Sequence, residues 1–179
     1  AAGYADDGLG GTDQLTAFEG ITGGDGDDTL LGGSVSETID GGVGADVIKA
    51  GDGNDTIVYD HGDISVDGGS GTDTLLINDI ERDLRKLWDL PARVDSEESL
   101  NIEELTLNAE GPQILKFNKA VFTAIAPGNA LTVNGDAFDR LVLDDNEWGT
   151  VDTSSGDAVY TSLSDGLVLT VVGDIQVET

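Results

Sequence analysis

The stretch "GGDGDDTLLGG" at residues 23–33 decides the fold of this chain. Glycine and aspartate alternate through its first half, and Leu30 follows two places after Asp28. A near copy, "AGDGNDTIV" at residues 50–58, puts Ile57 in the equivalent place. Glycine and aspartate favour tight turns, whereas aliphatic residues favour strands. Each copy therefore predicts a sharp turn followed by a short strand.

The same pattern repeats every nine residues from Gly23 to Leu76. The eighth position of each unit is aliphatic, at Leu30, Ile39, Ile48, Ile57, Val66 and Leu75. The sixth position is acidic in all units except the fifth, at Asp28, Glu37, Asp46, Asp55 and Asp73. Ordinary hairpin turns are the alternative interpretation, but hairpins do not require aliphatic residues at an unbroken period of nine. An EF-hand is excluded, because no loop carries a glutamate twelve residues after its first aspartate.

This spacing is the nonapeptide pattern G-G-x-G-x-D-x-U-x. Over residues 23–76 the chain resembles the repeats-in-toxin (RTX) family of secreted bacterial proteins. The resemblance implies an all-β fold, a right-handed parallel β-roll (a β-solenoid) with calcium-binding turns. Two units make one coil, so turns on the same side lie 18 residues apart in sequence and stack at about 4.8 Å, the spacing of neighbouring strands.

The resemblance also implies the ligands of Ca²⁺, which takes carboxylate and backbone carbonyl oxygens. Positions two, four and six of one turn share an ion with positions one, three and six of the turn two units later. One expected site comprises Gly24, Gly26, Asp28, Gly41, Val43 and Asp46. A second comprises Gly51, Gly53, Asp55, Gly68, Ser70 and Asp73. A third, in which valine and glutamate depart from the family pattern, comprises Gly33, Val35, Glu37, Ala50, Asp52 and Asp55.

Three further aspartates stand near the edges of this pattern. Asp13 lies in "GLGGTDQLT" at residues 8–16, which fits the repeat and makes Asp13 a further candidate ligand. Asp63 precedes Ile64 in the degenerate fifth unit and is a candidate substitute for the missing aspartate. Asp139 ends the degenerate turn "NGDAFDRLV", where a further calcium site is an open alternative.

The charge of the chain also points to bound cations. Eight basic residues stand against 36 acidic ones, a formal net charge of −28, which disfavours nucleic acid and anionic membranes as partners. With 38% hydrophobic residues in regular places, disorder alone explains this poorly. The chain has no cysteine for a disulfide or thiolate metal site, and no apolar run long enough to predict a membrane span. The first residues show no signal peptide, and the absence of methionine suggests a fragment of a longer protein.

The pattern changes after residue 76, and we divide the chain into a roll at 1–76, an insertion at 77–101 and a carboxyl-terminal region at 102–179. Helical spacing predicts a helix over residues 78–90, with Asn78 and Glu81 as a capping box, packed on the roll. From Ile102 strand-like alternation returns, interrupted by a short helix in "NKAVFTAIA" with Asn118 as its cap. We expect a looser continuation of the solenoid, closed by antiparallel strands bearing Trp148 and Tyr160.

The phrases "NIEELTL" and "NALTVNGDAF" and the strands of "GLVLTVVGDIQVE" resemble the carboxyl-terminal target domain of RTX adhesins exported by type I secretion. The resemblance implies a calcium-dependent folding and secretion module, extracellular or on the bacterial surface. It would be monomeric, with the type I channel and the upstream adhesin chain as its partners.

No catalytic role is expected, since the chain has neither a nucleophile elbow nor an HExxH motif, and its one histidine is His61. The alternatives are the RTX module of a secreted enzyme or toxin, and a calcium-dependent domain that binds a sugar, a peptide or ice. For ice, a flat threonine array would be needed, and along the sequence Val47 and Ser65 interrupt the seventh-position threonines.

Overall fold

The computed structural model describes residues 2–6, 13–16, 18–60, 62–77, 100–108, 111–117, 119–126, 128–143, 148–152, 157–163 and 165–178. The strands of the first half are β1 (Ala2–Asp6), β2 (Asp13–Thr16), β3 (Gly20–Asp25), β4 (Thr29–Leu31), β5 (Thr38–Val43), β6 (Val47–Lys49), β7 (Thr56–Tyr59), β8 (Ser65–Asp67) and β9 (Thr74–Ile77). Those of the second half are β10 (Glu104–Leu107), β11 (Ile114–Phe117), β12 (Ala130–Asn134), β13 (Arg140–Leu143), β14 (Trp148–Asp152), β15 (Ala158–Ser162), β16 (Val168–Val172) and β17 (Gln176–Glu178). Helix α1 (Lys119–Ile125) lies between β11 and β12.

The repeats form two parallel sheets, and successive units alternate between them. One sheet contains β4, β6 and β8, and the other contains β3, β5, β7 and β9. Strands that pair directly are 18 residues apart, as in Leu30 with Ile48 and Ile39 with Ile57. The predicted all-β parallel β-roll, with two units to a coil, is therefore confirmed.

The core of the roll consists of the eighth-position side chains. Each of them is at most 1% exposed, because it is the second residue of its strand and its side chain points inward. The set comprises Leu30, Ile39, Ile48, Ile57, Val66 and Leu75. Registered strands stack these residues into continuous aliphatic columns, so each coil depends on its neighbours for burial.

The solenoid continues into the second half with longer coils. Strand β10 pairs in parallel with β9 and with β12, which pairs in parallel with β16. A second parallel sheet contains β11, β13 and β17. Strands β14 and β15, which contain Trp148 and Tyr160, pair antiparallel at the end of the larger sheet. The expected continuation, the short helix and the antiparallel closing strands are all present.

The amino-terminal strands differ from the parallel roll expected from residue 1. Strand β1 pairs antiparallel with both β2 and β4, so the residues around Asp13 do not follow the 18-residue parallel stacking. The local glycine-rich sequence that fits an RTX turn also suits a hairpin. The domain boundaries at residues 76 and 101 stay a prediction.

Several expectations lie outside the described residues, namely the helix at 78–90, its capping box, the cap at Asn118 and His61. Among the described residues, no helix has the length and apolar character needed to cross a membrane.

Candidate metal centre

Acidic side chains of stacked turns are joined by direct hydrogen bonds from backbone to carboxylate. On one side of the roll the N–H of Asp28 donates to Asp46 Oδ1 at 2.8 Å. On the other side Glu37 N–H donates to Asp55 Oδ1, and Asp55 N–H donates to Asp73 Oδ1, each at 2.8 Å. Each bond spans 18 residues, so each acidic residue lies against its equivalent one coil later. The predicted pairing of turns is therefore present on both sides.

The glycines of the repeat hold these turns in close contact. A Cβ placed on Gly23 would lie 2.5 Å from Asp28 Oδ2 and 2.5 Å from the carbonyl oxygen of Gly41. Gly24 and Gly26 have φ values of 110° and 119°, which side-chain-bearing residues rarely adopt. Their carbonyl oxygens lie so close to the next turn that a Cβ there would overlap them. The missing side chains thus leave a space bounded by carboxylate and carbonyl oxygens.

Residues of the first and second expected sites are brought together in pairs across their turns. In the first, Gly26 N–H donates to the Val43 carbonyl at 2.8 Å, and the Val43 side chain is 69% exposed. In the second, Ser70 N–H donates to the Gly51 carbonyl at 2.8 Å. A carbonyl oxygen has two lone pairs, so one hydrogen bond leaves capacity for a cation. The assignment of these residues as ligands stays a prediction.

In the third expected site, Glu37 is engaged by its own turn. Both of its carboxylate oxygens accept from the N–H of Gly33, at 3.1 and 2.9 Å. Asp52 N–H donates to the Gly33 carbonyl at 3.0 Å, so the two turns are stacked as expected. The longer glutamate side chain folds back into its turn, which makes this set a poorer match to a cation than the two sets built on aspartates.

The stacked aspartates meet the chemical requirement for a bound cation. Asp46, Asp55 and Asp73 are at most 1% exposed. In each of them Oδ1 accepts the ladder hydrogen bond, whereas Oδ2 is buried without a hydrogen-bond partner in the described structure. A buried charged oxygen without a partner is strongly destabilising, and native proteins rarely leave one. A Ca²⁺ ion accepts carboxylate and carbonyl oxygens, so the residues fit it.

The number of carboxylates at each centre is small. Nowhere in the described ranges do three or more His, Cys, Asp or Glu side chains come together as a metal-holding group. Each expected site accordingly has one carboxylate from each turn, with backbone carbonyls as its remaining oxygen donors.

Asp63 and Asp139 occupy turns with a different hydrogen-bond pattern. Asp63 Oδ2 accepts the N–H of Asp60 at 3.1 Å, and Asp139 Oδ2 accepts the N–H of Asp136 at 2.9 Å. Asp139 Oδ1 also accepts the N–H of Gln113 at 3.0 Å, so both its oxygens have backbone donors. The neighbour that donates to Asp139 is therefore a neutral glutamine and not an acidic residue, and a calcium site at Asp139 stays an open alternative. Asp13 begins β2, and its side chain lies outside the described part of the chain.

Burial raises the pKa values of Asp55, Asp63 and Asp73. Desolvation raises the pKa of Asp55, partly offset by the N–H of Glu37. Desolvation also raises the pKa of Asp73 to about 6; the N–H of Asp55 lowers it, and the negative charges of Asp55, Glu103 and Asp67 raise it further. Desolvation, with repulsion from Asp60, Asp46 and Asp40, raises the pKa of Asp63 to about 7. In the absence of a cation, these groups therefore bind a proton more readily than an exposed aspartate does.

A parallel β-roll with acidic, glycine-rich stacked turns defines a class of calcium-binding repeat. Residues 21–36 and 31–63 match the family model of the RTX calcium-binding nonapeptide repeat (4 copies), and this part of the chain is an RTX repeat region. RTX repeats are calcium-binding modules typical of secreted bacterial proteins. Searches of curated proteins and of solved structures gave no significant match to the chain.

The acidic ladder extends to a residue that the repeat pattern did not identify. Asp73 N–H donates to Glu103 Oε2 at 2.9 Å, across 30 residues of sequence instead of 18. Glu103 lies in "NIEELTL", directly before β10, and no glycine-rich turn precedes it. Its only signal in the sequence is an acidic residue two places before the buried Leu105, the same spacing as Asp73 and Leu75.

In calcium-free solution, acidification from pH 7.5 to 5 is expected to increase the folded fraction of the chain. The folded-state pKa of Asp73 is about 6, above the ordinary 3.8, so the folded state binds the proton more tightly than the unfolded state. Its stabilising contribution is complete below pH 4 and is lost as the pH rises through 6, and that of Asp63 is lost through pH 7. Circular dichroism of the chelator-treated chain at several pH values measures this. A folded fraction that falls steadily on acidification over this range would contradict it.

Proposed function

We propose that this chain is a calcium-dependent folding and type I secretion module from the carboxyl-terminal part of a large extracellular RTX adhesin. The observation that carries the proposal is the set of buried, stacked aspartates Asp46, Asp55 and Asp73, in each of which Oδ2 lacks a hydrogen-bond partner in the described structure. The RTX repeat region at residues 21–63 supports the calcium-binding part. The adhesin and secretion parts rest on the resemblance of the second half.

The proposed role of the turns is to make folding depend on calcium. Asp28 with Asp46, and Asp55 with Asp73, would hold ions together with carbonyls of their turns, and bound Ca²⁺ supplies the positive charge that these carboxylates lack. Without it, equivalent carboxylates one coil apart repel each other, and strands of three to six residues bury too little surface to hold the turns together. Because the unfolded chain has no such turns, the free energy of binding adds to the free energy of folding.

This dependence suits export through a narrow channel. In a cytosol poor in free calcium the chain would stay unfolded, aided by its net charge of −28. Outside the cell, millimolar calcium is sufficient for weak extracellular sites. The carboxyl-terminal region would leave first and fold, which disfavours return. In this proposal the module is monomeric and non-catalytic, its partners are the type I channel and the upstream adhesin chain, and nucleic acid is not a partner.

Deletion of residues 150–179 is expected to prevent export from a cell that carries a matching type I channel. The deletion removes the end of β14 and all of β15, β16 and β17, which we assign to the region that the channel recognises. The measurement is the amount of chain in the medium and in the cells, with and without the channel.

The matched control for this deletion is the full chain with Asp55→Asn, which damages the roll and leaves residues 150–179 intact. The control should be exported in amounts close to the unmodified chain, although it folds less well outside. Equal export of the truncated and full chains would refute the secretion assignment and leave calcium-dependent folding untouched.

A further inference from the structure

The turn that follows the last repeat is shorter than the others but occupies the same place in the stack. Gly68 N–H donates to the Leu100 carbonyl at 2.8 Å, as Gly32 N–H donates to the Lys49 carbonyl at 2.8 Å within the roll. Asp73 N–H donates to Glu103 Oε2 at 2.9 Å. In the turn formed by residues 101–103, Asn101 therefore takes the place of the first residue of a repeat. Glu103 takes the place of the sixth residue. The turn at residues 68–73 has six residues, whereas the turn that stacks on it, at residues 101–103, has only three.

The space next to Gly68 is built like the space next to Gly23 in the roll. A Cβ on Gly23 would meet Asp28 Oδ2 and the Gly41 carbonyl oxygen, both at 2.5 Å. A Cβ on Gly68 would lie 2.8 Å from Asp73 Oδ2 and would overlap the carbonyl oxygen of Asn101. Asn101 thus presents its carbonyl where the expected ligand Gly41 presents its own.

Two features hold the short turn in this shape. The backbone of Asn101 has a φ of 49°, a left-handed conformation that asparagine tolerates better than most residues. Its side-chain amide donates to Asp67 Oδ1 at 2.8 Å, which fixes the turn to the end of β8. In the lower turn, Gly69 and Gly71 have φ values of 93° and 147°, close to the 105° and 144° of Gly51 and Gly53. The lower turn therefore has the backbone shape of a repeat turn that is expected to bind calcium.

The carboxylate of Asp73 provides the independent sign of a ligand. Asp73 is fully buried, and its Oδ2 has no hydrogen-bond partner within the described structure although its Oδ1 accepts from Asp55. Oδ2 lies beside Gly68, in the space that the Asn101 carbonyl also borders. A bound cation would satisfy a buried anionic oxygen that lies next to a backbone carbonyl and close to a second carboxylate.

We propose a further Ca²⁺ site at this junction, formed by the carbonyls of Gly69 and Gly71, the carboxylate of Asp73, the carbonyl of Asn101 and the carboxylate of Glu103. This inference rests on the proposed function, because it assumes that the repeats bind calcium. Glutamate stands here in place of the aspartate of the repeats, and its carboxylate accepts the N–H of Asp73 as the aspartates do within the roll.

The site would join the roll to the second half of the solenoid. Asp73 immediately precedes β9 and Glu103 immediately precedes β10, and these two strands pair in parallel with Leu75 opposite Leu105. A single ion between the two turns would stabilise this pairing across the 78–99 segment of sequence. Docking of the carboxyl-terminal strands onto the roll would then depend on calcium directly.

The test is the calcium content and affinity of the full chain with Glu103→Gln, measured by equilibrium dialysis and calorimetry. We expect Glu103→Gln to bind one ion fewer than the unmodified chain. Glu104→Gln is the matched control, because it removes the same charge from the next residue, whose carboxylate contacts Asn134 and Thr74 on the other face of the strand. Glu104→Gln should keep the full number of ions, and Glu103→Asp, which restores the carboxylate, should bind the ion again with lower affinity.

The outcomes separate this inference from the proposed function. An unmodified chain that binds no calcium would overturn both, whereas an unchanged ion count in Glu103→Gln would overturn the junction site alone. If Glu103→Gln fails to fold, a crystal structure of the unmodified chain grown with calcium decides through its anomalous signal. A calcium peak between Asp73 and Glu103 supports the site, and peaks in the roll without one at the junction overturn it.

Discussion

Removal of calcium with EDTA at pH 7.5 is expected to unfold the β-roll cooperatively. Three buried carboxylate oxygens, on Asp46, Asp55 and Asp73, lack hydrogen-bond partners in the described structure. Each uncompensated buried polar group costs about 1–3 kcal/mol, and more when it is charged. A domain of this kind has a net stability of only about 5–15 kcal/mol, so the combined cost is comparable to the whole. Bound calcium offsets it and adds about 2.7 kcal/mol per site at a concentration 100 times the dissociation constant.

The measurement is far-ultraviolet circular dichroism during chelation and during titration back with calcium. The strand signal should be lost with EDTA and recovered with excess calcium, and the same concentration of magnesium should restore much less, because magnesium demands a smaller octahedral site. Limited proteolysis should become rapid within residues 23–76 in the chelated chain. A spectrum that EDTA leaves unchanged would contradict calcium-dependent folding.

The β-roll was predictable because its sequence pattern repeats every nine residues. Six units with glycine at fixed places and an aliphatic eighth residue determine both the turn and the buried column, and the structure places all six aliphatic side chains in the core. The 18-residue pairing follows from two units per coil, and every ladder bond of the repeats has that spacing. Regular repetition therefore gave the fold and the pairing of the candidate ligands.

The ends of the roll were not predictable, because the period breaks there. Glu103 is stacked on Asp73 through a shortened turn and a spacing of 30 residues, which no nine-residue alignment reveals. At the amino terminus, a stretch that fits the repeat belongs to strands with antiparallel pairing. A glycine-rich turn serves either arrangement, and only the partner strand decides between them.

The seventh-position threonines show that neighbours along the sequence are not neighbours on the surface of the roll, because successive units alternate between two sheets. Val47 and Ser65 interrupt the threonines along the sequence, but both lie on one sheet, where Val47 pairs with Thr29 on one side and with Ser65 on the other. Thr38, Thr56 and Thr74 form an unbroken row on the other sheet. That row meets Glu104 next, and a charged side chain there interrupts the flat threonine array that ice binding would need.

Substitution Asp55→Asn is expected to remove the calcium ion that Asp55 would share with Asp73, together with any ion held by the set that Asp55 shares with Glu37. Asp55 lies in the middle of its ladder, where its Oδ1 accepts the N–H of Glu37 and its own N–H donates to Asp73 Oδ1. Its carboxylate would therefore belong both to the expected site with Asp73 and to the expected site with Glu37. Asparagine keeps the size of the side chain and one oxygen but removes the negative charge that calcium requires. The midpoint of the calcium titration should move to at least tenfold higher concentration, equivalent to about 1.4 kcal/mol.

The matched control is Asp52→Asn, three residues earlier, which makes the same change of charge at an exposed side chain. The expected contribution of Asp52 to the neighbouring site is its backbone carbonyl, which the substitution preserves. Asp52→Asn should therefore retain the ion count and shift the calcium midpoint only slightly. Comparable losses in both variants would show that net charge governs binding, and loss of a single ion in Asp55→Asn would show that the site shared with Glu37 does not form. In the described ladder, Asp55 is the carboxylate that lies between Glu37 and Asp73. An unchanged calcium midpoint in Asp55→Asn would therefore show that Asp55 is not a calcium ligand.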